Sequence, residues 1–331
     1  MHIAQPFKIA GVGTAVPERL VTSEELEKKL GLPAGWSEKY SGVKARYHAE
    51  HETNSELAAK ALQSALDHAG LQVQDLDVVI SAAATYDYPL PNNACMIMHT
   101  LAPKVEGITC LDVDTTCLSF LTGIDYAARL IASGDARRVA VVSSEIASRG
   151  LNPGHKESST LFGDGAAAFI LETDPTGEHG MVRQRMQSYP AAAGYTMIRG
   201  GGNAKPFRDF PYDPALHSFH MEGKILLKYG KRILTTFIPE FFEDLPITYE
   251  QLDWVLPHQA SKTGLYLYYK LFPVPPERTL SNLETRGNCI AASLPTLLAE
   301  AILAGNILPG QTCFMVGTAA GLSIGGLLLK I

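Results

Sequence analysis

Short stretches of alternating or continuous apolar positions recur at Phe7–Val12, Val78–Ala83, Cys110–Thr115, Val139–Ser143, Ala166–Leu171, Trp254–Pro257, Thr279–Ser281, Cys313–Val316 and Leu322–Leu328. Runs of this length and period predict strands. Between them, apolar residues recur every three or four positions. That spacing predicts helices at Ser23–Leu30, Ser55–Ala69, Ala94–Leu101, Leu118–Ser133, Glu222–Phe237, Lys262–Leu271 and Ile290–Ala304. Strands alternating with helices predict an α/β fold. The segment from Gln187 to Ser218 has no clear period and is rich in Gly, Pro and aromatics. Its length predicts a functional loop or insertion between two halves.

The pattern also repeats. DLDVVISAAAT (Asp75 to Thr85) resembles QLDWVLPHQAS (Gln251 to Ser261), and TCLSFLTGIDYAARLIASGD (Thr116 to Asp135) resembles NCIAASLPTLLAEAILAGN (Asn288 to Asn306). Cys117 to Gly134 and Asn288 to Gly305 both span 17 residues, and both helices lead into a strand, RRVAVVSS and TCFMVGTA. The chain therefore reads as two copies of one βαβ-containing unit. On this spacing Cys117 and Asn288 fall at equivalent helix N-termini, where a pseudo-twofold axis brings them into one site.

Composition narrows the classes. With 331 residues, 46% hydrophobic and 19% charged, the chain reads as compact and globular. A net charge of −6 supplies no positive field for general nucleic-acid binding. No run of 18 apolar residues and no signal-peptide pattern occurs, so a cytoplasmic protein without membrane association is expected. The five cysteines are scattered, with no CxxC pair or Cys/His metal spacing.

Candidate chemistry follows from position. Cys117 sits where a strand ends and a helix begins; unpaired N–H groups and the positive helix end there should lower its thiol pKa. A small buried residue is the plainer alternative. His258, in PHQAS, emerges at the C-terminal edge of a strand, the usual ligand side of an open α/β sheet. Asn288 suits a helix N-cap, yet it occupies a corresponding end of the repeat. Together the three predict one site with a cysteine nucleophile.

The order of Cys in TTCLSF, His in PHQAS and Asn in GNCIAAS resembles the thiolase-fold condensing enzymes, most closely the 3-oxoacyl-acyl-carrier-protein synthase III family. IAGVGTAVPERLVTSEEL, LFGDGAAAFIL, MEGKILLKYGKRIL and VGTAAGLSIGGLLL extend the resemblance over nearly the whole chain. It implies a five-layered αβαβα thiolase-like fold with two duplicated halves: residues 1–175 carrying the cysteine, residues 176–331 carrying the histidine and asparagine. It also implies that Cys117 takes an acyl group from an acyl thioester. A malonyl- or 3-oxoacyl-type thioester then undergoes decarboxylative Claisen condensation with that acyl group. His258 Nε2–H and the Asn288 amide would stabilise the enolate, and the backbone N–H groups of Cys117 and Ala320 the acyl oxygen. No cofactor is implied beyond the acyl-coenzyme A or acyl-carrier-protein substrates, and the expected assembly is a homodimer.

The same resemblance assigns Trp36 to the nucleotide end of coenzyme A. The chain departs from the pattern at Tyr40 and Lys156, where the family has arginines, and at Ser261, where it has asparagine. Lys156 and Ser261 are carried as candidate substrate-binding residues. Lys224, Lys228 and Lys231 share one helical face and match a carrier-protein docking helix. Leu90, in TYDYPLPNNAC, matches the tip of a loop that crosses the dimer and closes the partner's acyl pocket. Two other functions fit the fold: acyl transfer to a hydroxyl or amine without carbon–carbon bond formation, and a non-catalytic scaffold subunit of a paired synthase. A papain-like protease and a nucleotide-binding protein do not fit the motifs.

Overall fold

Two five-stranded sheets organise the chain, seen in a computed structural model that describes residues 1–272 and 274–331. The first sheet runs Lys8–Ala15, Gly165–Glu172, Arg138–Glu145, Val78–Ala82, Thr109–Val113. Its last three strands are mutually parallel, and its first three pair antiparallel. The second runs Gln5–Pro6, Gly180–Ser188, Ser323–Lys330, Thr312–Ala319, Trp254–Pro257. Apart from the short N-terminal Gln5–Pro6, its strands take the same places in the same sense. The duplication expected from sequence is thus visible in the topology.

Two strands differ from expectation. Thr279–Ser281 is no strand; a single parallel bridge joins Thr279 to Val255. Pro275 and Pro276 before it have no N–H to give a ladder, and Ser281 and Asn282 turn away to bond Gln259. Gly180–Ser188, unrecognised in the sequence, is a full strand. Arg183, Gln184, Arg185 and Gln187 break its apolar pattern. Both arginines reach the end of the helix Gly223–Phe242, donating to the Phe241 and Glu240 carbonyls that the helix leaves unpaired.

Helices fill three layers. Ser119–Ser133 and Ser293–Leu303 lie between the sheets in one core that includes residues of both. Phe120, Leu121, Ile124, Ala127, Ala128 and Ile131, the apolar face predicted for the first, are all buried. Gly134 and Gly305 end the two helices in left-handed conformation, as expected of terminal glycines. Asn54–Ala69 covers the outside of the first sheet, its N-terminus closed by a Thr53/Glu56 capping box. Gly223–Phe242 covers the outside of the second, with Lys262–Leu271 beside it. The layers are therefore αβαβα. Among the described residues no helix is long and apolar enough to cross a membrane.

Candidate active site

Each central helix is entered through the same turn. Thr116 (φ 51) and Ile290 (φ 48) both adopt the left-handed region that side chains disfavour. In the first turn, Thr116 N–H donates to Asp114 Oδ1 at 2.8 Å and Thr115 N–H to Ser119 Oγ at 3.0 Å. In the second, Ile290 N–H donates to Asn288 Oδ1 at 2.9 Å and Cys289 N–H to Ser293 Oγ at 2.9 Å. Asn288 is therefore the counterpart of Asp114, and Cys117 that of Ala291. The 17-residue spacing paired Cys117 with Asn288 instead and was out by three. The second helix is shorter, 11 residues against 15, so matching the terminal glycines displaced the register.

The two turns nevertheless meet. Thr116–Leu118 packs against Ile290–Ala292 and against the strand Thr312–Ala319. That strand holds the imidazole: His258 N–H donates to the Val316 carbonyl at 2.7 Å. A Cβ at Gly317 would fall 2.4 Å from His258 Cβ and 3.5 Å from Leu118 Cδ2, which puts the histidine alongside the turn that carries Cys117. Asn288 is fixed by its backbone, N–H to the Leu161 carbonyl at 3.0 Å and carbonyl to Gly163 N–H at 3.1 Å. The glycine-rich LFGDG stretch thus seats the asparagine. Only glycine fits at 163, where a Cβ would lie 2.1 Å from the Arg286 carbonyl oxygen.

The backbone N–H groups of Ala320 and of Cys117 itself favour the thiolate form of Cys117, and they are the pair expected for an acyl oxygen. Burial pushes the thiol up to about 12, and the nearby Glu145 carboxyl adds to the rise; the two N–H groups only partly offset these effects. The expected fall in pKa is therefore reversed: depth outweighs the helix end. Burial alone pushes His258 down to about 4. Both its ring nitrogens are buried without a partner among the described residues. Asn288 Oδ1 accepts from Ile290 N–H and from Ser293 Oγ at 3.3 Å, which identifies it as the oxygen and leaves the NH₂ as donor. At rest the site holds a thiol, a neutral imidazole and a carboxamide.

Glu145 carried no assignment in the sequence. It is fully buried and takes donors from Ala84 N–H (2.8 Å), Thr85 N–H (3.0 Å) and Thr85 Oγ1 (2.6 Å). Burial still pushes it up to about 8. Its signal in sequence was a lone acid at the end of the apolar strand RVAVVSSE.

The remaining candidates lie at varied depth. Trp36 opens the short helix Trp36–Tyr40, half-buried, and Tyr40 packs on it at 4.7 Å between ring centroids. Lys156 is exposed. Ser261 accepts from Gly264 N–H at 3.0 Å, so its hydroxyl caps the helix Lys262–Leu271. This accounts for the serine without a substrate. Leu90 is 85% exposed at a loop tip. Lys224, Lys228 and Lys231 are all exposed along the helix Gly223–Phe242, beside exposed Ile225 and Leu227.

A cysteine and a carboxamide at paired helix entrances, with an imidazole from the second half, define a thiolase-fold acyl-transferring enzyme. Residues 111–190 match the family described as 3-oxoacyl-[acyl-carrier-protein] synthase III, and residues 242–331 its C-terminal part. The beta-ketoacyl-[acyl-carrier-protein] synthase III of Clostridium perfringens is 31% identical over 98% of this chain and 99% of its own. That of Oleidesulfovibrio alaskensis is 33% identical over 97% and 98%. The chain belongs to the beta-ketoacyl-[acyl-carrier-protein] synthase III family. Among solved structures, the Aquifex aeolicus 3-oxoacyl-[acyl-carrier-protein] synthase III superposes with TM-score 0.88 at 28% identity, covering 98% of this chain and 100% of that one. The priming beta-ketosynthase of the R1128 polyketide pathway gives TM-score 0.88 at 25% identity over 99% and 97%.

Proposed function

We propose that the chain is a ketoacyl synthase III-type acyltransferase. It loads an acyl group from an acyl-coenzyme A or acyl-carrier-protein thioester onto Cys117, then condenses it decarboxylatively with a malonyl-type thioester. Residues 1–175 supply the nucleophile and 176–331 the enolate donors. The observation that carries this is geometric: the turn bearing Cys117 packs against the turn that follows Asn288 and against the strand Thr312–Ala319, which fixes His258 through its backbone. In the first half-reaction the thiol proton leaves with the displaced thiol, and the Cys117 and Ala320 N–H groups bind the acyl oxygen. In the second, loss of CO₂ puts negative charge on the thioester oxygen. Neutral His258 and the Asn288 NH₂ both donate to it, and neither needs to change charge first.

The exposed lysines Lys224, Lys228 and Lys231, interleaved with Ile225 and Leu227, suit an acidic carrier protein, and we assign Trp36 and Lys156 to the nucleotide end of coenzyme A. The strand Thr109–Val113 pairs on one side only, leaving an edge for a second copy. We place the enzyme in the cytoplasm as a homodimer. Intact-protein mass spectrometry after incubation with a panel of acyl thioesters tests the loading step. An acyl adduct in wild type, absent in Cys117→Ala, is expected; no adduct with any thioester overturns it. ¹⁴CO₂ release from labelled malonyl thioester tests the second step; adduct without CO₂ would indicate transfer to a hydroxyl or amine.

A further inference from the structure

We infer that Glu300 is a positioning residue that fixes His258 and Asn288 relative to each other, an inference that rests on the function proposed above. Glu300 lies on the helix Ser293–Leu303, and its carboxylate bonds both loops. On one side, Oε2 accepts from Asn282 Nδ2 at 2.8 Å. Asn282 Oδ1 in turn accepts from Gln259 Nε2. Gln259 is fully buried and adjoins His258; its Oε1 accepts from Ser281 Oγ at 2.7 Å and Asn282 N–H at 2.9 Å. On the other side, Oε1 accepts from Arg286 Nε at 2.8 Å and lies 2.6 Å from Arg286 Nη2. Arg286 is joined to Asn288 through Gly287, where a Cβ would fall 2.4 Å from the Leu161 carbonyl oxygen. That junction has no slack.

The relay matters because, among the described residues, the His258 ring has no hydrogen-bond partner. Its place is set by its backbone bond to Val316 and by Gln259 beside it. Every acceptor on the Glu300 side faces a donor, so an amide there turns its NH₂ against either Asn282 or Arg286 and releases one loop. The Arg286 and Glu300 side chains keep 22% and 29% exposure, so Arg286 retains access to solvent when the pair is broken. Misplacing enolate donors by a fraction of an ångström slows decarboxylation roughly 10- to 100-fold. Loading of Cys117 uses other donors and is unaffected.

The test measures both half-reactions in wild type, Glu300→Gln, Asn282→Leu and the double variant. CO₂ release is expected to fall about 10- to 100-fold in each single variant and no further in the double, with Cys117 loading unchanged. Unchanged CO₂ release, or loading and release falling together, overturns the inference. The ¹⁵N resonances of the His258 ring supply a readout independent of turnover. They are expected to shift in Glu300→Gln, and unshifted resonances overturn the inference even if the wild type releases no CO₂, an outcome that would separately sink the proposed function.

Discussion

Alkylation of Cys117 across a pH series reads the environment of the sulfur directly. Its thiol is raised from 9.0 to about 12, with burial the chief cause. At pH 8 a thiol of ordinary pKa is about one-tenth ionised; one at about 12 is ionised to roughly one part in ten thousand. That alone slows iodoacetamide about 1,000-fold. A more basic thiolate is intrinsically more nucleophilic, by a Brønsted slope of about 0.4–0.5, which returns a factor of roughly 20 and leaves about 50-fold net slowing. The rate should climb from pH 7 to 10 with no plateau. Time-resolved peptide mass spectrometry follows it, with exposed Cys95 as reference in the same sample. Glu145, raised to about 8 by burial, acquires its charge within this range. Its charge opposes the thiolate, so the wild-type rise becomes shallower above pH 8, whereas Glu145→Gln keeps its slope. Asp114 also adds to the rise of the thiol. A plateau below pH 9, or alkylation at pH 7.5 as fast as at Cys95, would refute the argument that depth controls this thiol.

Three other outcomes are expected. Gly317→Ala forces a methyl to 2.4 Å from His258 Cβ; decarboxylation should fall at least tenfold, and steady-state kinetics with malonyl thioester checks it. Leu90→Phe enlarges the exposed loop tip and should shift acyl preference toward shorter chains; an unchanged profile in competition with mixed acyl thioesters counts against the loop closing an acyl pocket. Phe241→Ala empties a fully buried site flanked by Phe237, Phe242 and Phe314 and should cost about 3–5 kcal/mol in urea unfolding.

What could be foreseen in the chain was what depends on periodicity. The buried stripe Phe120, Leu121, Ile124, Ala127, Ala128 and Ile131 follows from helical spacing, and the paired strand-helix-strand units from repetition. What was not legible depends on depth or on contacts between distant segments. Thr116 and Ile290 carry no sequence mark of left-handed backbone, yet they define the register between the halves, and terminal glycines misaligned it by three. Arg183 and Arg185 disguise a strand because their guanidinium groups serve a helix end contributed from elsewhere. Glu300 looks like one acid among many until Asn282 and Arg286 are seen to converge on it.

The largest error, the sign of the Cys117 shift, is also the most instructive about mechanism. A helix entrance favours a thiolate only where solvent or donors support the charge. Here burial acts on both groups of the proposed mechanism at once, raising the sulfur and lowering His258. The site thus resists forming a thiolate–imidazolium pair, which would require charge on a half-buried sulfur and on a buried imidazole. The cost falls on the first half-reaction alone. In the proposed mechanism the acylated sulfur is neutral, and the Ala320 and Cys117 N–H groups hold the acyl oxygen. The same burial that hinders the thiol would then keep His258 in the state that the proposed second half-reaction needs, a neutral donor toward an enolate. Exposing the site would ease loading but let His258 rise toward its ordinary 6.5. One degree of burial therefore sets the balance between the two steps.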